Sequence, residues 1–152
     1  MRFGEGVTRE VGQDLVNMKA QKVLVMTDPN IAKLPVMKTV IGSLQANRVN
    51  YVVYDKTRVE PSDQSFQDAI DFAKLHKPDV FVAVGGGSVM DTCKAANLYL
   101  HYPEADLLEF VNAPIGKGSV IHKTLSPLIA STFVCFVVTP SRGKTRQLEQ
   151  PF

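Results

Sequence analysis

The segment Val82-Ala83-Val84-Gly85-Gly86-Gly87-Ser88-Val89-Met90-Asp91 holds the residues best suited to chemistry. An apolar run leads straight into three glycines, and a serine follows where a helix would begin. Glycine tolerates positive φ and lets a ligand approach the backbone with no Cβ in the way. A helix N-terminus offers N–H groups without intrahelical acceptors and a partial positive charge, so a pyrophosphate placed there is held by backbone donors. On this reading Ser88 is the N-cap and adds its hydroxyl to the anion site. Asp91, three residues on, makes a variant capping box with it, and Lys94 can pair with Asp91 along the helix. The bland alternative is a tight strand–helix turn with no ligand. The strand before the glycines, the helix after them and an aspartate at another strand end favour anion binding.

Two other phosphate motifs are excluded. A G-x-G-x-x-G pattern begun at Gly85 needs glycine where Met90 stands, and no Gly-Lys-Ser/Thr ending follows for a P-loop. Asp28 closes the run Lys22–Thr27. Its carboxylate could accept both hydroxyls of a ribose and would repel a 2′-phosphate, which favours NAD over NADP. It could equally be a solvated turn residue before Pro29, and the residues alone do not separate the two.

These groups need a scaffold, and the hydrophobic pattern supplies one. Residues 22–27, 49–54 and 79–84 are short β-branched runs that read as buried strands. Residues 35–47, with Pro35 first, a stretch after Ser62 with Phe66, Ala69, Ile70 and Ala73 on one face, and residues 89–100 read as helices. Ser62 is a plausible N-cap. Such alternation predicts an α/β fold, a Rossmann-like parallel sheet with flanking helices and right-handed crossovers. Ligands in such sheets bind beyond the carboxyl ends of strands, where Asp28, Asp55 and Gly85 all fall. Pro114, Gly116, Gly118 and Pro127 indicate a long loop over 106–127, and residues 139–152 read as disordered.

The bulk numbers fit one soluble domain. Apolar residues make up 45% and charged residues 21%. The net charge of +2 is matched by Arg142, Lys144 and Arg146 against Glu149, which leaves residues 1–138 neutral and gives no footprint for nucleic acid. The apolar stretch around Leu128–Val138 is too short to span a bilayer. Cys93 and Cys135 have no metal spacing and make no disulfide framework. Cys93 reads as core packing rather than as a reactive thiol. His76, His101 and His122 have no metal-ligand spacing either and read as solvated. The N-terminus has no apolar signal core, and Glu5, Glu10 and Asp14 argue against a transit peptide.

Gly85-Gly86-Gly87-Ser88, Asp91 and Lys94-Ala95-Ala96 together resemble the GGGSxxDxxKA signature of iron-containing alcohol dehydrogenases. Thr27-Asp28, Val59-Glu60-Pro61 and Pro114-Ile115-Gly116-Lys117-Gly118 extend the resemblance in order. Asp91–Tyr99 and Asn112–Ile115 are similar to the animal hydroxyacid–oxoacid transhydrogenase branch of that family. The resemblance implies a dinucleotide-binding domain over residues 1–130, with NAD as cofactor. It also implies a separate helical domain whose divalent metal, iron or zinc, polarises the alcohol. The implied activity is 4-hydroxybutyrate oxidation coupled to 2-oxoglutarate reduction, in mitochondria. The residues placed at the cofactor are Asp28, Ser62, Gly85, Gly86, Gly87, Ser88 and Asp91, with Ser62 standing where many members have an asparagine.

The resemblance stops after Ala130. Ser131-Thr132-Phe133-Val134 replaces the family's proline and Thr-Thr-x-Gly-Thr segment, so residues 131–152 are expected to be a divergent tail. No catalytic residue and no metal ligand is expected in this chain. A truncated chain of this kind should bind a dinucleotide and be inactive alone; the alternative role is a non-catalytic module that associates with full-length subunits. Loss of a partner domain should expose apolar surface, which Phe133, Val134 and Phe136–Val138 could partly cover.

Overall fold

The computed structural model describes residues 6–131 and the backbone of 136–139. Five strands form one sheet: β1 (Val23–Met26), β2 (Tyr51–Tyr54), β3 (Val80–Val84), β4 (Leu128–Ser131) and β5 (Phe136–Thr139). Their order is β2-β1-β3-β4-β5. The first four run parallel and β5 pairs antiparallel with β4. The helices are α1 (Val11–Asn17), α2 (Pro35–Ala46), α3 (Asp63–His76) and α4 (Gly87–His101). The expected parallel sheet with helices on both faces is therefore present.

Every residue of β1 and β3 is buried, as continuous apolar runs in a doubly covered sheet require. Alternation along the strands divides the core in two. Val23, Val25, Val80 and Val82 face α1 and α2 with Leu15, Val40 and Leu44. Leu24, Met26, Phe81 and Ala83 face α3 and α4 with Ala69, Ala73, Cys93 and Ala96. Small residues on the second face let α3 and α4 pack closely on the sheet and on each other.

Pro35 begins α2 at a position where its missing N–H costs nothing. Ser62 caps α3 in a reciprocal capping box with Ser65, as its position suggested. The structure also adds elements at both ends that the sequence reading left out. A 3₁₀ turn (Val7–Glu10) leads into α1. Val7, Val11, Leu15 and Met18 recur at helical spacing and are the signal that locates it. The turn and α1 are tied to α2 through Ser43, whose hydroxyl accepts the Gly12 N–H at 2.9 Å and donates to the Arg9 carbonyl at 2.6 Å.

The second addition is at the other end. Leu128–Ser131 is a strand on the outer edge of β3, and residues 136–139 form a strand where an irregular tail was expected. The apolar Phe136-Val137-Val138 run pairs with Ser131, Ala130 and Ile129, so backbone hydrogen bonding extends the sheet by one strand. The remaining tail residues, 132–135 and 140–152, and the covering role suggested for Phe133 and Val134, lie outside the described residues.

Two segments leave the sheet in opposite directions. After β1 the chain crosses over α2 to β2 on one side; after β3 it crosses over α4 to β4 on the other. The carboxyl ends of β1 and β3 therefore flank a topological switch point, the crevice where open α/β sheets take their ligands.

Candidate functional site

The crevice is built from two adjacent strand ends. Register pairs Met26 with Ala83, so Asp28 and Gly85 leave neighbouring strands at the same height. Thr27, fully buried, donates its hydroxyl to the Val84 carbonyl at 2.8 Å and ties the two ends together. Thr27 was noted in the sequence only as part of a strand end; a hydroxyl in the last position of a buried strand is the signal for this role, because it must find a partner there.

Gly85 has φ +154°, and a Cβ there would meet the Val89 side chain at 2.7 Å. Its N–H donates to the Ser131 carbonyl at 3.0 Å, linking the turn to β4. Gly86 and Gly87 differ: a Cβ on either would meet nothing within 4 Å. Their backbone faces open space at the head of a fifteen-residue helix.

The helix begins earlier than the sequence suggested. Gly86 is the N-cap, with extended backbone, and no side chain caps α4. The Gly86 carbonyl accepts the Met90 N–H at 3.1 Å, so the amides of Gly87, Ser88 and Val89 lie ahead of the helical ladder. Ser88 is therefore not the N-cap, and the capping box with Asp91 does not form. The physical reason is that Gly86 adopts cap geometry without needing a side chain. The Ser88 hydroxyl is then free to turn away, and it donates to the Val59 carbonyl at 2.5 Å. Asp91 sits on the exposed side of α4, with Lys94 at 3.4 Å.

Asp28 is half-buried, and its Oδ1 accepts the N–H groups of Asn30 and Ile31 at 2.8 and 3.0 Å. One carboxylate oxygen thus orders the turn after β1. A carboxylate retains further acceptor capacity on its second oxygen.

The loop after β2 closes one side of the crevice. Thr57 donates its N–H to the Thr27 carbonyl at 3.3 Å, and Val59 receives the Ser88 hydroxyl. The loop is thus fastened to β1 at one point and to α4 at the other. The Thr57 hydroxyl is buried without a hydrogen-bond partner among the described residues, and so is that of Ser131 at the end of β4. Ser62 lies beyond this strap. Its hydroxyl is occupied in the α3 cap, and it lines a separate open cleft of about 490 Å³ with Tyr54, Lys56, Arg58 and Asp68. The structure therefore brings Asp28, Gly85, Gly86, Gly87 and Ser88 to one crevice, and sets Ser62 and Asp91 to its sides.

Among the described residues, no three His, Cys, Asp or Glu side chains converge in a group that could hold a metal ion. Cys93 is fully buried, and burial pushes its thiol far above the usual range, which agrees with a packing role. His122 is exposed, and the His76 ring packs at a tilt against Phe72, with centroids 4.4 Å apart. His101 departs from the solvated role expected of it. It is half-buried at the end of α4, and its Nε2 accepts the Ser126 N–H at 3.1 Å. Desolvation and the nearby Lys123 lower its pKa. No helix among the described residues is long and apolar enough to cross a membrane.

The sequence profile of iron-containing alcohol dehydrogenases matches residues 1–135. Mitochondrial hydroxyacid-oxoacid transhydrogenase of Bos taurus is 56% identical over 130 residues, 86% of this chain and 28% of that protein. The Homo sapiens protein of the same name is 54% identical over the same shares. The chain thus spans under a third of the length of these relatives. Among solved structures, NADH-dependent butanol dehydrogenase A of Thermotoga maritima superposes with a TM-score of 0.73 at 26% identity, over 84% of this chain and 31% of that one. A 1,3-propanediol oxidoreductase shares the fold, with a TM-score of 0.74 at 22% identity, over 86% of this chain and 32% of that one. By its matched sequence and its fold, the chain belongs to the iron-containing alcohol dehydrogenase family.

Proposed function

We propose that this chain is the NAD-binding part of an iron-type alcohol dehydrogenase of the hydroxyacid–oxoacid transhydrogenase kind. The observation that carries the reading is the open backbone of Gly86 and Gly87 at the head of α4, beside Asp28 across the switch point. A pyrophosphate fits this cradle: leading amides point at it, no Cβ intrudes, and the helix end favours negative charge. The adenosine ribose lies on the β1 side, where the second oxygen of Asp28 accepts a hydroxyl. A 2′-phosphate would meet the same carboxylate, so NAD is favoured over NADP. Ser88 serves by fastening the strap at Val59 rather than by capping the helix. Ser62 and Asp91 act at the margins, through the start of α3 and the charge of α4.

In the assembled enzyme the reaction is hydride transfer from a hydroxyacid to an oxoacid by way of NAD, with 4-hydroxybutyrate and 2-oxoglutarate as the pair, in mitochondria. The metal of this family, held elsewhere in the assembled enzyme, would supply Lewis-acid polarisation of the alcohol oxygen. The described residues do not fit that metal, since no ligand group converges among them. They supply dinucleotide binding and orientation only.

The test is calorimetric titration of the 152-residue chain with NAD and NADP. Saturable NAD binding, with weaker NADP binding, is expected; absence of any NAD heat would sink the proposal. With NAD, 4-hydroxybutyrate and 2-oxoglutarate the pure chain should show no turnover. Metal-dependent oxidation by the chain alone would overturn this division of labour. A second role, a non-catalytic module that pairs with full-length subunits, is favoured by the exposed apolar side chains between α4 and β4.

A further inference from the structure

We infer that Ser88 is a two-position latch. In one position its hydroxyl fastens the strap over residues 55–61 through the Val59 carbonyl, as the structure shows. In the other it turns to a diphosphate seated on the glycine turn and frees the strap. The inference rests on the pyrophosphate reading of that turn and adds a moving part to it.

The strap is lightly held. Its neighbours do not depend on it: β2 is fixed by its ladder to β1, and α3 by the capping box of Ser62 and Ser65. Between them, residues 55–61 lie outside any helix or strand. Asp55, Lys56, Arg58, Val59 and Glu60 are exposed, and Thr57 alone is buried. Among the described residues, two hydrogen bonds tie the strap to the body of the domain. The Thr57 N–H donates to the Thr27 carbonyl at 3.3 Å, at the long end for such a bond. The other is the bond from Ser88. The Thr57 hydroxyl is meanwhile buried with no partner among the described residues. A hydroxyl that has lost water and gained no partner costs stability. The strap is therefore seated against a penalty that lifting relieves, and the Ser88 bond keeps it down.

Ser88 can serve one acceptor at a time, because a serine hydroxyl carries a single proton. Its acceptor in the structure is a neutral carbonyl on Val59, a residue 73% exposed, where water can take the place of the hydroxyl. Ser88 also stands directly after Gly87 at the head of α4, among the amides that precede the helical ladder. A phosphate oxygen brought to those amides is a charged acceptor, and hydrogen bonds to ionised groups are roughly twice as strong as neutral ones. The exchange therefore runs toward the phosphate, and a ligand without an anionic oxygen there does not drive it. The strap also walls the cleft of about 490 Å³ outside α3, through Lys56 and Arg58, so its release reshapes that cleft as well.

Trypsin reads the latch, since Lys56 and Arg58 lie on the strap and a protease cuts a segment that opens locally. Early products that begin at Thr57 and Val59, followed by mass spectrometry, should form slowly from the 152-residue chain and several-fold faster with saturating NAD. Cutting after Lys38 and Lys94, within α2 and α4, should not accelerate. In Ser88→Ala the strap should be cut as fast without NAD as it is in the parent chain with NAD. Strap cutting that NAD leaves unchanged or slows, while calorimetry records NAD binding, overturns the latch and leaves the dinucleotide proposal standing. A Ser88→Ala chain whose strap is cut no faster than the parent's, without NAD, overturns the latch too. Absence of any NAD heat removes the dinucleotide proposal and the latch together. Should Ser88→Ala not fold, hydrogen exchange of the parent chain decides. With NAD the Thr57 amide should exchange several-fold faster while the amides of Gly87, Ser88 and Val89 slow, and an unchanged or slower Thr57 amide overturns the latch.

Discussion

The hydroxyl of Thr27 donates to the carbonyl of Val84 at 2.8 Å, across the last rung shared by β1 and β3. It is the buried side-chain hydrogen bond that spans the switch point, so the width of the crevice depends on it. Thr27→Val keeps the shape and removes the donor. The expected loss is about 1 kcal/mol of stability, read by urea denaturation. Unchanged stability would mean that the strand pairing alone sets the crevice.

The three glycines should separate by substitution. Gly85→Ala brings a Cβ against Val89 at a backbone conformation that side chains rarely adopt, and should cost about 1–3 kcal/mol. Gly87→Ala meets open space and should leave the fold intact, yet its methyl stands where the phosphates would lie. Its NAD affinity should fall by about tenfold, equal to 1.4 kcal/mol. If Gly87→Ala binds NAD as the parent does, the pyrophosphate is not on this turn.

Stability should fall in mild acid because of His101. Its Nε2 faces the Ser126 N–H and so must stay unprotonated, while Lys123, which donates to the His101 carbonyl at 2.7 Å, adds positive charge nearby. The folded pKa lies below the ordinary value. As pH drops below about 6.5 the unfolded chain takes up a proton that the folded chain resists, and stability declines until the folded value is passed. Melting at pH 7.5 and 5.5 should show this decline. His101→Asn should flatten it, whereas an equal decline in that variant would assign the effect to other groups.

Cys93 should resist thiol reagents in the native chain. Its side chain is fully buried between the sheet and α4, and burial disfavours the thiolate that would react. In a Cys135→Ser background, no labelling is expected until denaturant is added. Fast native labelling would show that α4 opens locally.

The order of elements could be read because strands and helices differ in apolar period, and β1, α2, β2, α3 and β3 all carry clear patterns. The crevice could be placed because Asp28 and Gly85 close two of those strands. What escaped has physical causes. Ser88 looked like a cap because serine is a common one, but a preceding glycine can take cap geometry itself and leave the hydroxyl to a loop 29 residues away. His101 sat in a helix end that read as solvated, and only the return of the chain at Ser126 covers it. The first helix is only seven residues long, so its apolar period spans two turns and is easily passed over. Contacts between residues far apart in sequence, such as Thr57 with Thr27, leave no local pattern.

The antiparallel β5 has a further consequence. A parallel sheet cut off after β4 would present a bare row of amides and carbonyls, ready to pair with any extended chain. With residues 136–139 hydrogen-bonded along that row, the flank of β4 is already occupied. Both outer strands, β2 and β5, are only four residues long, and short edge strands offer little backbone for another chain to pair with. The open edge on the β4 side is therefore moved from β4 to β5, and any partner that needs the flank of β4 must first peel β5 away.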